Sequence, residues 1–226
     1  MRKNGFTLAE VLITLGIIGV ISALTLPTVT QDVTKQKVGP SLAKAVNTLE
    51  NANTNLLKST DTRSLYDACN NGTEEYNANS VETEYVSCLL NHSNIFGVQV
   101  PGTNYGGQDY NNCLMTKDGI AFCTGELGVS ATDKSPKNYY GRAVNIMIDI
   151  NGPETKPNKV GKDAFSFLVD FYGTLIPNGG RQYNVFMDKA TEAPLWETTC
   201  NSESITDRMD CAGSIVDNNW KVIYNY

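Results

Sequence analysis

Hydrophobic residues dominate positions 11–26, and only a few small polar residues interrupt them. A short basic leader containing Arg2 and Lys3 precedes this run. Counted from Phe6, the run matches the roughly 20 residues that a helix needs to cross a hydrocarbon core. The pattern therefore predicts a transmembrane helix over residues 6–27.

Beyond Pro27 the apolar residues recur at steps of three and four, the spacing of one face of an amphipathic helix. We expect one helix from Phe6 to about Lys58, nearly 80 Å long at ~1.5 Å per residue. Pro27 and the Gly39-Pro40 pair are expected to bend it, because each proline removes a backbone hydrogen bond. The half at 28–58 should pack its stripe against a sheet. The stripe consists of Val38, Leu42, Ala45, Val46, Leu49, Ala52, Leu56 and Leu57.

The remainder, residues 59–226, shows the alternation of half-buried strands. A helix followed by antiparallel strands is typical of an α+β fold. Asn- and Gly-rich stretches at 70–84 and 99–113 are interpreted as loops. Strands are predicted at 119–124, 143–150, 164–172 and 173–176, with an edge strand at 183–187 and a closing strand at 220–224; the strand at 164–172 should bury one face.

The composition indicates one acidic globular domain after the helix. The chain carries 18 basic and 24 acidic residues, a formal net charge of −6. Such a balance gives no general electrostatic attraction to nucleic acid. The sequence contains no phosphate-binding glycine loop or nucleotide fingerprint, and its one histidine, His92, is isolated. We therefore do not expect an enzyme.

Six cysteines follow the apolar run, and none precedes it. In an exported domain an even number predicts up to three disulfides, although six cysteines allow 15 pairings. The spacing favours the local pairs Cys69–Cys88, Cys113–Cys123 and Cys200–Cys211. The absence of a C-x-x-C motif argues against zinc.

Glu10 distinguishes the N-terminus from two common kinds of apolar segment, a cleaved secretory signal and a plain signal anchor. A secretory signal has an apolar region directly after its basic residues, and Glu10 falls where that region would begin. The length alone also fits a signal anchor. A carboxylate costs roughly 2.5–3.5 kcal/mol near a bilayer centre on insertion scales. A chain that carries one there is expected to use it.

The six residues Gly5-Phe6-Thr7-Leu8-Ala9-Glu10 resemble the processing site of type IV prepilins and type II secretion pseudopilins. The family pattern is a glycine, a bulky apolar residue, Ser or Thr, Leu, an apolar residue and Glu, followed by an apolar helix. Pro27 also falls where many pilins carry a helix-kinking proline. The resemblance covers roughly the first 58 residues and implies a pilin-like roll, with a long helix packed on an antiparallel sheet.

The resemblance also implies roles for individual residues. A prepilin peptidase would cut the Gly5–Phe6 bond, which removes the leader 1–5, and would then methylate the amino group of Phe6. Glu10 would attract the Phe6 amine of a neighbouring subunit. Opposite charges attract strongly in a low-dielectric helix bundle. A local alternative is that Glu10 pairs with the Phe6 amine of its own chain.

The loop after the predicted strand 143–150 contains Asp149, Asn151 and Asp163. These hard oxygen ligands follow the spacing that begins many calcium loops, and the segment resembles a calcium-stabilised loop of some pseudopilins. The alternative is a turn in which Asp and Asn side chains bond to their own backbone. Two features depart from the calcium pattern. No bidentate Glu occupies the last EF-hand position, and the same loop contains three lysines, Lys156, Lys159 and Lys162.

These observations predict a structural subunit of a type IV pilus-like filament or a type II secretion pseudopilus. Its expected partners are the prepilin peptidase/methyltransferase, other pilin or pseudopilin subunits, the inner-membrane assembly platform and, before assembly, membrane lipid. The expected location is the bacterial inner membrane, with a cytoplasmic N-terminus and an exported head. The alternative is a minor pilin that acts as an exported adhesin or ligand-binding module. The C-terminal Cys200–Cys211 loop resembles the disulfide region of many pilins.

Overall fold

A computed structural model describes residues 7–69, 85–90, 92, 95–105, 107–125, 143–170, 172–187, 191–204 and 207–224. The chain forms two compact units, residues 1–37 and 38–226. The unit with the sheet thus begins ten residues beyond the start of the predicted amphipathic half. Gly5, Phe6 and the predicted loop 70–84 lie outside the described residues.

The first helix, α1, spans Leu8–Thr60 and runs through both prolines without interruption. Its segment Leu8–Leu26 has a mean hydropathy of 2.2, and none of its residues is buried. By length and composition this segment is able to cross a membrane. A bend at Pro27 stays a prediction.

The part of α1 in the second unit buries the stripe that the sequence predicts. Buried members recur at steps of three and four from Val38 to Leu56, and Leu57 is partly buried against the same core. Asn53 is the one polar side chain on this stripe. Its Nδ2 donates to the carbonyl of Gly173 at 2.8 Å, and its Oδ1 accepts from the Tyr85 hydroxyl at 2.6 Å. Both hydrogen-bonding ends of this buried amide are therefore satisfied, as burial requires.

The described residues form a six-stranded antiparallel sheet in which every strand pairs with its neighbours in the chain. The strands are β1 (Phe96–Tyr105), β2 (Gln108–Thr116), β3 (Ala121–Gly125), β4 (Val144–Asp149), β5 (Ala164–Val169) and β6 (Leu175–Pro177). The helices are α1, α2 (Leu65–Cys69), α3 (85–90), α4 (Arg181–Phe186), α5 (Trp196–Thr199) and α6 (Cys211–Asp217), with a 3₁₀ turn at Asp207–Asp210. A long helix and an antiparallel sheet confirm the predicted α+β, pilin-like class.

The sheet buries both of its faces at β4 and β5, which corrects the prediction of one buried face for 164–172. All residues of β4 and β5 are buried. One face joins the main core with α1, and the other forms a second, smaller core. The second core consists of Tyr105, Tyr110, Cys113, Ala121, Cys123, Met147, Val160 and Ala164.

Strands β3 and β4 confirm the predictions at 119–124 and 143–150, whereas the next strand is shorter than predicted. Asp170 explains why 164–172 and 173–176 form two strands separated by a turn. Its Oδ1 accepts from the backbone N–H groups of Tyr172 and Thr174 at 2.9 and 2.7 Å. Gly173 in this turn has a φ of 85°, which favours glycine.

Three other predictions were wrong. Of residues 99–113, predicted as a loop, 99–105 belong to β1 and 108–113 to β2, because burial of Tyr105 and Tyr110 outweighs the loop-like composition. The predicted edge strand 183–187 overlaps α4, in which the Asn184 side chain donates to the carbonyls of Glu192 and Ala193.

The predicted closing strand at 220–224 is irregular backbone. Asn219 and Trp220 adopt positive φ angles of 55° and 62°, which turn the chain out of an extended path. The Tyr224 hydroxyl then donates to the carbonyl of Gly161 at 2.6 Å. A Cβ atom at Gly39 would overlap the Trp220 carbonyl oxygen. Gly39 therefore permits a close contact between α1 and this segment.

We expect Gly39→Ala to destabilise the head. Helix propensity alone would make alanine more stable by about 0.8–1.0 kcal/mol, whereas overpacking against backbone costs about 1–3 kcal/mol or more. The measurement is urea unfolding of the full chain in detergent. Gly97→Ala is the control, because a Cβ atom there has no neighbour nearer than 3.6 Å. A gain in stability for Gly39→Ala would show that the Trp220 contact does not constrain the head.

Candidate functional site

The N-terminus of α1 is closed by reciprocal hydrogen bonds between Thr7 and Glu10. Glu10 Oε2 accepts from the Thr7 backbone N–H and from its hydroxyl, both at 2.8 Å. The Glu10 backbone N–H donates to Thr7 Oγ1 at 3.3 Å. This is a capping box, in which Thr7 and Glu10 satisfy donors that the first helical turn leaves open. The Thr-x-x-Glu spacing in the sequence is the signal for this cap, and it was missed because Glu10 was interpreted as an assembly residue only.

Glu10 also remains exposed, as do the apolar side chains that follow it. Its carboxylate is therefore accessible to a group from another molecule while it caps its own helix. Because Phe6 is outside the described residues, pairing of Glu10 with the Phe6 amine stays a prediction.

The head contains a buried acidic cluster at the end of β4. Asp149 is fully buried. Its Oδ1 accepts from the backbone N–H groups of Asn151 and Gly152 at 3.1 and 2.9 Å, and its Oδ2 accepts from the Tyr105 hydroxyl at 2.7 Å. The side chain thus fixes the turn after β4 and joins it to the end of β1. Sequence analysis missed Tyr105 because it lay in a predicted loop.

Asp163 lies beside Asp149 and fixes the other end of the loop. Its Oδ1 accepts from the Lys159 N–H at 2.6 Å, and its Oδ2 accepts from the Asn158 N–H at 3.0 Å. The Asn151 side chain is close enough to Asp163 to lower the pKa of that carboxyl group. The structure therefore brings together all three residues of the predicted calcium site, with backbone donors contributed by the lysine-containing segment.

Burial changes the acidity of both carboxyl groups. Desolvation raises the pKa of Asp149 to about 6, although the hydrogen bonds from Tyr105 and from the Asn151 backbone oppose this rise. Desolvation also raises the pKa of Asp163, against the effect of its backbone donors. The negative charge of Asp163 raises the pKa of Asp149 further, because a nearby like charge disfavours ionisation.

The geometry fits the predicted turn and leaves calcium binding as a prediction. Protein donors already bind both oxygens of Asp149 and of Asp163. In the described part of the chain, no group of three or more His, Cys, Asp or Glu side chains is placed to hold a metal. The buried amide oxygens of Asn151 and Asn158 have no hydrogen-bond partner, and they are the atoms here that a cation would attract.

The six cysteines form three disulfides, which are the local pairs that the spacing favoured. Cys69–Cys88 joins α2 to α3, and Cys200–Cys211 joins the end of α5 to α6. Cys113 and Cys123 lie directly opposite each other on β2 and β3, with 4.0 Å between their Cα atoms. The covalent links therefore fasten three different regions of the head.

Comparison with protein families gave one match. Residues 1–26 match the prokaryotic N-terminal methylation motif, the signature of type IV pilins and pseudopilins. Comparisons with curated proteins and with solved structures gave no match. The motif implies processing by a prepilin peptidase and assembly with other pilins.

We expect Asp149→Asn to alter the pH dependence of stability. Because the folded-state pKa of Asp149 is raised to about 6, the folded head binds more protons than the unfolded chain between about pH 4 and 6. The contribution of Asp149 is therefore fully present below about pH 4 and is lost as the pH rises to about 6. The shift corresponds to about 3 kcal/mol at most. Asparagine does not titrate and retains an acceptor for the turn.

The measurement is the difference in unfolding free energy between wild type and Asp149→Asn from pH 4 to 7, in chelator. The difference should move in favour of the variant as the pH rises. A difference that does not change with pH would show that Asp149 titrates normally.

If calcium binds this loop, we expect it to raise the melting temperature of the wild-type protein. A ligand at a hundredfold excess over its Kd stabilises the folded state by about 2.7 kcal/mol. The measurement is thermal unfolding of the full chain in detergent, with calcium or with chelator, and Asp149→Ala should abolish the difference. Equal melting temperatures for wild type in both buffers would leave the loop as a turn only.

Proposed function

We propose that this chain, whose first 26 residues match the N-terminal methylation motif of prepilins, is a structural subunit of a type IV pilus-like filament or a type II secretion pseudopilus. A prepilin peptidase removes residues 1–5 and methylates Phe6. Before assembly, the subunit resides in the inner membrane with its head exported. The assembly platform then transfers it into the filament.

The observation that carries the proposal is the apolar segment Leu8–Leu26, in which no residue is buried. Full burial of a single Leu or Ile side chain is worth about 1.5–3 kcal/mol relative to water. Exposed members recur on every turn, so the segment requires an apolar environment. Lipid provides that environment before assembly, and the equivalent helices of other subunits provide it afterwards.

Apolar contacts alone do not select the axial register of such helices. Lipid tails are as apolar as leucine, so transfer from lipid to a helix bundle gains little from the hydrophobic effect. Glu10 adds a charge that is costly to leave unpaired in this environment. Pairing with the Phe6 amine of a neighbour would be satisfied in one register only. Glu10 is thus proposed to have two roles, capping its own helix and aligning the next subunit.

Two substitutions at Glu10 separate these roles. Glutamine preserves the capping box, because Gln serves in the same position, but it removes the charge; alanine removes both. We expect both variants to insert in the membrane and both to be depleted in filaments by more than about tenfold, equivalent to about 1.4 kcal/mol. The measurement is the ratio of subunit in sheared filaments to subunit in membranes.

Thr7→Ser is the matched control, because serine retains the hydroxyl of the capping box. It should assemble like wild type. Normal filaments from Glu10→Gln would contradict charge pairing and leave capping as the function of Glu10. Normal filaments from Glu10→Ala would contradict both roles.

A further inference from the structure

We propose that Cys69–Cys88 is a thiol–disulfide exchange site on the folded head, open to an external dithiol such as the active-site pair of a thioredoxin-type oxidoreductase. The other two disulfides are closed to such a reagent until the head unfolds. This inference is independent of the proposed filament function.

The two closed disulfides are buried inside the head. Cys113 and Cys123 have no exposed surface and lie within the second core. Cys200 and Cys211 are 1% and 0% exposed. Exchange requires a thiolate to reach one sulfur of the disulfide. An external thiolate therefore has no approach to either pair while the cores are intact.

Cys69–Cys88 differs because it lies at the margin of the main core. Cys69 is the last residue of α2 and is partly exposed, whereas Cys88 on α3 is 7% exposed. Cys69 is the more exposed of the two residues, so we expect an incoming thiolate to attack its sulfur. The carbonyl oxygen of Ala68 lies 3.6 Å from Cys88 Sγ, where it can accept a hydrogen bond from a Cys88 thiol.

The exchange balances with a dithiol as the reductant. Its thiolate attacks Cys69 Sγ, which forms a mixed disulfide and breaks the Cys69–Cys88 bond. Cys88 leaves as a thiolate and takes up one proton. The second thiol of the reagent then displaces Cys69, which also becomes a thiol. The reagent loses two electrons and two protons as it forms a disulfide, and the head gains both. The reverse reaction with an oxidised reagent closes the bond.

Both partners of the bond are anchored without it, so the bond can open while the head stays folded. On one side Leu65 is buried in the main core, and the Ser64 and Asp67 side chains cap α2. On the other side Tyr85 donates its hydrogen bond to Asn53, and Leu89 is 1% exposed. Opening the bond therefore removes a covalent link but none of these contacts.

The test is reduction of the oxidised full chain in detergent with dithiothreitol under native conditions. Samples are alkylated at successive times, and the labelling of each cysteine is quantified by peptide mass spectrometry. Near-ultraviolet circular dichroism of the same samples reports whether the tertiary structure persists. We expect Cys69 and Cys88 to be labelled together, at least tenfold faster than the other four and without loss of the signal. All six should be labelled in denaturant.

The double variant Cys69→Ser/Cys88→Ser should lose the fast phase, while the remaining four cysteines stay protected under native conditions. The proposal is overturned if another pair is labelled first or within tenfold of the same rate. It is also overturned if Cys69 and Cys88 react only as the circular dichroism signal is lost.

Discussion

The head depends on one packing interaction, the burial of the α1 stripe from Val38 to Leu56 against the inner face of the sheet. The buried residues of α1 and the sheet form a single core that also includes α2, α3 and α6. Residues three and four apart lie on one face of a helix, and alternate residues lie on one face of a strand. These two sets of side chains pack against each other where α1 covers the sheet. Asn53, the polar member of the stripe, also joins α1 by hydrogen bonds to Tyr85 on α3 and to Gly173 in the turn before β6.

The same sheet has a second buried face, and its polar groups need partners of their own. Asp149 illustrates the constraint, because its carboxylate has no access to water and is satisfied by a tyrosine hydroxyl and two backbone donors. The Cys113–Cys123 disulfide fills the same small core with covalently linked sulfur. The head is thus stabilised by one large apolar layer and by a compact second layer in which specific bonds supplement a limited apolar area.

The sequence was most informative where the hydrophobic residues kept one spacing over a long segment. The stripe on α1 was predicted almost residue by residue, because a helix repeats the same contact geometry along its length. Strands β3 and β4 were also predicted, because their apolar, β-rich sequences favour buried strands.

Predictions failed where burial depends on distant residues. Tyr105 and Tyr110 become core residues only through a second layer that local patterns do not reveal, and the turn at Trp220 depends on a glycine in α1. At Glu10 the motif pointed to assembly, while the helix-capping role followed from a different pattern in the same residues.

Pairing of Glu10 with the Phe6 amine of a neighbouring subunit requires a free amino group on Phe6, which exists only after the leader has been removed. The most direct measurement is the intact mass of the N-terminal peptide of the mature protein isolated from membranes. The account predicts a chain that begins at Phe6 and carries one methyl group on its amino nitrogen. A mature protein that begins at Met1, or after Ala23 as a secretory signal would leave it, would contradict the account.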